Sequence, residues 1–371
     1  MTKRTFGRIK GLIQDMALWS GRKIIDVFSP NSVLIHNKKT RLPRKDTMNI
    51  LWICSDNTAN NPYNIVKTIN DETKHMAVLI QAKQTYLNYP LDGTIMVNTI
   101  TLKEFIKYVK WADVIHLNES VVSGLYPPEQ AARFKCGSRV TLYDVLTEDK
   151  KVFRHSNGTY YRSHYGEINR LCEKHNMYKT VSTPDLISYG MHTYWLPQPI
   201  PTTDEIYKKG EVMSTEKIRI SHSPTNRLIK GTQLFLLVCK KLFPELEVVL
   251  IEGKKHDECL RIRKTCHINY DQYSLGAYGV SSLESLAIGQ LNIVGLHYVC
   301  NYIRDHPFIE IKDGVMTGMA TAIQECIDII HSDGYEKHLE TQRKWLVEYH
   351  ERIKVVEFLL ELYKHAGYYV K

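Results

Sequence analysis

The sequence predicts an α/β protein of two domains, each built on a parallel sheet. Three observations lead there. Short apolar runs alternate with charged, helix-spaced stretches, most clearly over residues 217–289, and such βαβ alternation sets successive strands parallel in one sheet. At 371 residues the chain is long enough for two domains that each bury a core. Its composition, 43% hydrophobic and 24% charged, is that of a soluble globular protein.

Residues 217–223 alternate apolar and polar as a half-buried strand does, and Ser223-Pro224-Thr225-Asn226 breaks the run. Arg227, Lys230 and Gly231 follow, ahead of an apolar helical run over 234–243. A guanidinium and an ammonium three residues apart before a helix N-terminus can converge on a diphosphate; two solvated charges in a surface loop would look the same. Residues 246–251 read as a buried strand, 254–264 as a charged helix and 267–269 as a further strand. Then come Asp271-Gln272, a turn over 274–280 with Gly276 and Gly279, and a helix opening at Ser281-Ser282 and stopped by Gly289. Glycines before a helix N-terminus let backbone amides approach a phosphate or sugar. Glu284, in the first turn, is placed to accept hydrogen bonds from a vicinal diol such as a ribose, though an ordinary carboxylate complementing the helix dipole fits the same spot.

Ser221-His222-Ser223-Pro224-Thr225-Asn226-Arg227-Leu228-Ile229-Lys230-Gly231-Thr232, with Asp271-Gln272 and Gly276-Ala277-Tyr278-Gly279-Val280-Ser281-Ser282-Leu283-Glu284, resembles the nucleotide-sugar domain of GT-B glycosyltransferases. The group it is similar to is the large retaining family of glycogen synthase-like, mannosyl and lipopolysaccharide transferases. The resemblance implies two Rossmann-like domains facing a cleft, a final helix crossing back to the first, and transfer of a hexosyl or pentosyl unit from a UDP- or GDP-linked donor. Retention, independence of metal and the absence of any required cofactor are implied with it.

By the same resemblance, Arg227 and Lys230 hold the donor diphosphate and offset the leaving charge. Glu284 holds the ribose, and Gly276, Ala277, Tyr278, Gly279, Ser281, Ser282 and Leu283 complete the donor-binding segment. Where the family often carries a second acid, eight positions before the glutamate, this chain has Gly276. Asp113-Val114-Ile115-His116 is similar to the family's "aspartate, two apolar, histidine" strand end, which makes His116 the expected contact to donor sugar or acceptor. Asp56 and Asn57, in the asparagine-rich loop after the first strand, are acceptor-side candidates, with turn and N-cap chemistry as the plainer role.

The expected organisation is a basic leader over 1–46, a first domain over 47–197, a proline-stiffened hinge over 195–201, a donor domain over 198–350 and a returning helix over 351–371. Strands are expected at 48–54, 77–80, 94–97, 139–143 and 308–311, with a strand end in 111–118, and helices at 63–69, 102–110, 319–330 and 345–363. Residues 144–165, with His155 and His164, read as a long polar loop bordering the acceptor. No apolar run is long enough to span a bilayer and no cleavable signal is evident, so the expected place is the cytoplasm. The eight scattered cysteines form no CxxC pair and read as reduced thiols rather than a zinc site.

The net charge of +9 sits almost wholly in the leader, where eleven basic residues face three acids before Met48. Its stretch 6–28 can lie on an anionic membrane, bind a nucleic-acid backbone, or pack on the neighbouring domain, and packing is the reading adopted. The acceptor is left open among a glycan, a lipid-linked sugar and a modified base of DNA.

Overall fold

The structure is a computed structural model that describes residues 47–118, 150–210, 216–299, 303 and 305–367. The leader 1–46, the strand expected at 139–143, the start of the 144–165 stretch, and Cys136 and Cys300 lie outside these residues. The chain divides into two compact units. The first holds the described residues up to Pro199, apart from 86–88, and those from Val355 onward; the second holds Ile200–Lys354 with Tyr86–Asn88.

Among the described residues the first unit is a seven-stranded, all-parallel sheet: β1 (Asn49–Cys54), β2 (Met76–Gln81), β3 (Thr94–Met96), β4 (Val114–Asn118), β5 (Lys151–Ser156), β6 (Tyr178–Val181) and β7 (Thr193–Trp195), in the order β3-β2-β1-β4-β5-β6-β7. A parallel sheet needs cover on both faces, and β1 is accordingly apolar on both. Leu51 and Ile53 face α2 (Leu102–Trp111) and α3 (Thr159–Lys174), while Ile50 and Trp52 face α1 (Asn61–Glu72). α2 opens on a complete capping box between Thr101 and Glu104.

The second unit is a five-stranded parallel sheet of β8 (Arg219–His222), β9 (Glu247–Leu250), β10 (Ile268–Tyr270), β11 (Leu291–Val294) and β12 (Ile309–Glu310), ordered β12-β11-β10-β8-β9. α4 (Thr232–Leu242) and α7 (Val315–Ile330) share one core with it. α5 (His256–Arg263), α6 (Val280–Ile288) and α8 (Tyr335–His350) complete the unit. α7 packs so tightly on the preceding turn that a Cβ on Gly318 would stand 1.6 Å from the Lys312 carbonyl oxygen. Gly318→Ala is therefore expected to lose about 1–3 kcal/mol of stability in urea unfolding.

Two expectations change. The polar stretch read as a loop holds β5 and the opening of α3, residues 159–165: Arg154 and His155 are buried on a strand covered on both sides, which hides its apolar pattern. The helix expected at 345–363 is two helices, α8 and α9 (Arg352–His365), separated at Glu351. There the backbone turns extended (φ −58°, ψ 132°), Ile200 N donates to His350 O at 2.7 Å and Thr202 N donates to the Glu351 carboxylate at 3.2 Å. Val355, Val356, Leu359 and Tyr363 of α9 belong to the core of the first unit.

Candidate functional site

In the second unit the chain runs from β8 outward to β9, crosses back over β8 and resumes at β10. The carboxyl ends of β8 and β10 are thus a topological switch point, where open parallel sheets leave a crevice for ligands. Three segments follow these strand ends: the loop 223–231 after β8, residues 251–255 after β9, and residues 271–279 leading into α6.

Lys230 and Asp271 meet across the switch point. The loop after β8 is set by Asn226, whose side-chain oxygen accepts from Leu228 N at 3.0 Å and Ile229 N at 3.1 Å. It is tied to the sheet by Tyr270, whose hydroxyl donates to Lys230 O at 3.1 Å. Lys230 Nζ then pairs with Asp271 Oδ1, while Asp271 Oδ2 accepts from Ser282 Oγ at 2.7 Å and Gly279 N at 3.2 Å. Burial raises the Asp271 carboxyl, but Lys230, Ser282 and the Gly279 amide outweigh it and hold it below the ordinary value. The amide at Gly279, expected to face a phosphate, is engaged by this carboxylate.

Arg227 goes the other way. It forks onto Glu252 at the end of β9, with Nε to Oε1 at 2.7 Å, while Lys230 is drawn toward β10. The expected convergence of the two cations on one anion is thus not the arrangement here, because each has an acid of its own on opposite sides of β8. The Arg227–Glu252 pair is exposed, 47% and 36%, and an exposed pair is worth only about 0–1 kcal/mol. An incoming anion can draw Arg227 away at small cost.

Glu284 is buried one turn into α6. Its Oε1 receives His256 Nε2 at 2.6 Å and its Oε2 receives Arg263 Nη1 at 3.0 Å. Burial raises its carboxyl, and His256 and Arg263 together overcome that and hold it below the usual range. Neither partner was singled out from the sequence, where 254–264 reads only as a charged helix. Their spacing carries the signal: seven residues apart, they share one face of α5 two turns apart.

The remaining donor-segment residues shape the turn. Gly276 has φ +57°, and a Cβ there would lie 2.4 Å from the Tyr298 ring and 2.7 Å from that of His297, so backbone and neighbours together favour glycine. Ala277 O accepts from Gln272 Nε2 at 2.6 Å, Tyr278 stacks on Phe308, and Leu283 is core. Ser281 O accepts from Arg263 Nη2 at 2.7 Å.

In the first unit the switch point lies between β1 and β4. Asp56 stands there partly exposed, accepting from Thr58 Oγ1 at 2.5 Å. Asn57 does turn work: its Oδ1 accepts from Tyr63 N at 3.2 Å and its Nδ2 donates to Asn60 at 2.6 Å. His116 needs correction. It is fully enclosed, its ring stacked on Trp52 (centroids 4.0 Å apart) and Phe153 (5.0 Å), with Nε2 2.6 Å from the Tyr363 hydroxyl. A strand-end histidine was expected to face a ligand, but His116 is two residues short of the end of β4 and its side chain turns into the core. The residue at the end is Asn118, buried, its side-chain atoms without a hydrogen bond among the described residues.

Burial keeps several histidines neutral. It pushes His116 well below its ordinary value, His155 to about 3 and His222 to about 4, against 6.5 for a free imidazole. His222 Nδ1 donates to Tyr270 O at 3.0 Å, which leaves Nε2 to accept from Thr232 Oγ1 at 2.8 Å. As pH falls from 6.5 toward 4 the unfolded chain gains protons that the folded chain refuses, so the stability present above 6.5 is lost through that window. The melting temperature should hold above pH 7 and drop as pH falls from 6.5 to 4; a rise on acidification would contradict this assignment.

Two parallel sheets, ordered 3-2-1-4-5-6-7 and 5-4-3-1-2 in chain order, with a final helix in the core of the first unit, match known structures along nearly their whole length. The fold is GT-B. A glycosyltransferase from Rickettsia africae aligns with a TM-score of 0.62 and 12% identity, over 87% of this chain and 99% of that one. An alpha-glucosyltransferase in complex with UDP and a 13-mer DNA aligns at 0.61 and 11%, over 85% and 100%. Anabaena HepE in complex with UDP and glucose, also GT-B, aligns at 0.61 and 10%, over 85% and 99%. No family model and no curated protein matches the chain.

Proposed function

We propose that the protein is a glycosyltransferase that moves a sugar from a nucleoside-diphosphate donor to an acceptor hydroxyl, with the donor held in the second unit. The observation that carries the reading is the Lys230 ammonium at the mouth of α6, at the switch point of a GT-B sheet, with the Glu284 carboxylate on the same helix. The diphosphate approaches Lys230, which is shared with Asp271, and draws Arg227 from Glu252. As the sugar leaves, charge grows on the departing phosphate, and the two cations and the α6 dipole stabilise it in the part a metal plays elsewhere. Glu284 accepts the ribose hydroxyls. Retention of configuration is part of this reading, carried by the resemblance.

Asp56 and Asn118, at the strand ends of the first unit, are the proposed acceptor-side groups. A GT-B structure holding UDP and DNA supports a DNA acceptor; glycan and lipid-linked acceptors fit the resemblance. Salt-sensitive DNA binding lost on deleting residues 1–45 would favour DNA, and vesicle binding lost by the same deletion a membrane-linked acceptor. Among the described residues no helix is long and apolar enough to cross a membrane.

The test is turnover with a panel of UDP-, GDP- and ADP-sugars, scored for hydrolysis and transfer. Tight nucleotide binding without turnover of any donor would overturn the enzyme reading in favour of a non-catalytic GT-B nucleotide- or nucleic-acid-binding protein, an alternative that Gly276 in place of an acid makes worth measuring.

A further inference from the structure

One short helix holds the Glu284 carboxylate at both oxygens. His256 opens α5 and Arg263 closes it, and the intervening two turns bring both side chains to the same face, toward α6. Arg263 is the fixed end. With 1% of its side chain exposed, it donates to Glu284 Oε2, to Ser281 O and, at 2.5 Å, to Ser285 Oγ, so it locks the first turn of α6 to α5. His256 is the outer end, its side chain 13% exposed, with the ring 6.3 Å from that of buried Tyr207. Because Glu284 is held ionised, His256 Nε2 carries the proton and donates.

A carboxylate offers about two lone-pair sites on each oxygen. One on Oε1 goes to His256 and one on Oε2 to Arg263, which leaves one on each oxygen rather than two on one. We propose that His256 and Arg263 are positioning residues that fix Glu284 to accept from two adjacent hydroxyls at once, so that the site selects ribonucleotides over 2′-deoxyribonucleotides. The inference rests on the reading of Glu284 as the ribose contact. Arg263 is sealed, so the diol approaches from the His256 side. Without the Nε2 hydrogen bond the carboxylate is free to turn about its bond to Arg263, and one hydroxyl partner is misaligned.

The experiment measures affinities of the full chain for UDP, ADP and GDP and for their 2′-deoxy counterparts, in the parent, Glu284→Gln, His256→Ala and His256→Gln. The parent is expected to prefer the ribo form of its nucleotide by about tenfold, the worth of one hydrogen bond to a charged group. His256→Ala should lose most of that preference by weakening the ribo form alone. His256→Gln should regain it, since the amide N–H stands in for Nε2–H. If the alanine variant fails to fold, His256→Phe keeps the packing beside Tyr207 without the donor and reads the same effect. A parent with no preference, or with no affinity for any of the six, overturns the ribose reading and the inference with it. A preference lost in Glu284→Gln but kept at full size in His256→Ala overturns the inference alone.

Discussion

Replacing Lys230 by alanine should slow sugar transfer by about 10²–10³-fold, the cost of removing one preorganised stabiliser of a developing negative charge. The ammonium sits at the opening of α6, where a Cβ on Gly279 would lie 4.0 Å from Nζ. The loss should fall on turnover more than on donor affinity, because the diphosphate gains charge only as the glycosidic bond breaks. Alanine also leaves Asp271, 2% exposed, without its counter-ion, which costs about 3–5 kcal/mol of stability. Adding Asp271→Asn separates the two effects: the double variant should recover most of the melting temperature and remain slow. A Lys230→Ala protein with the parent's rate would remove the residue from the site.

Glu284→Ala should be the most damaging single change to folding in the second unit. It strands the Arg263 guanidinium, 1% exposed, without a carboxylate, and breaking a buried pair from one side costs about 3–5 kcal/mol. Glu284→Gln keeps an oxygen for Arg263 and should cost less, and Glu284→Leu with Arg263→Met should be close to neutral, because an apolar pair needs no desolvated charge. Urea unfolding of the four proteins checks the order. Donor affinity should fall in Glu284→Gln, about tenfold for one charged hydrogen bond lost to the ribose.

Much of the fold was legible because its strands announce themselves as short apolar runs: Ile50-Leu51-Trp52-Ile53 marks β1, buried on both faces, Ala77-Val78-Leu79-Ile80 marks β2, and Val248-Val249-Leu250 marks β9, which is a half-buried edge strand rather than the buried one expected. β5 did not, since burial there is carried partly by Arg154 and His155, side chains that read as solvent-facing until their cover is known. The break at Glu351 was invisible for a different reason. Its partners, Thr202 and Ile200, lie some 150 residues earlier, and no helix propensity encodes a contact at that range.

At the site, residue types were legible and their pairings were not. Lys230, Asp271, Ser282 and Glu284 stand out as a pattern, but which acid each cation prefers depends on which strands are neighbours. The order β10-β8-β9 sends Lys230 one way and Arg227 the other. His116 was misread because a strand-end motif locates a residue along β4 and says nothing about whether the sheet ends there or two residues later.

Helix α9 has a consequence for how the molecule is made. The ribosome delivers Val355, Val356, Leu359 and Tyr363 only after the whole second unit has been synthesised, yet these side chains cover Trp52 and Leu196. During translation that flank of the first sheet therefore waits with only α1 and its neighbours over it, a window in which chaperones or premature self-association compete for the part α9 will cover. Maturation of the first unit is in this sense timed by a helix synthesised after the whole of the second.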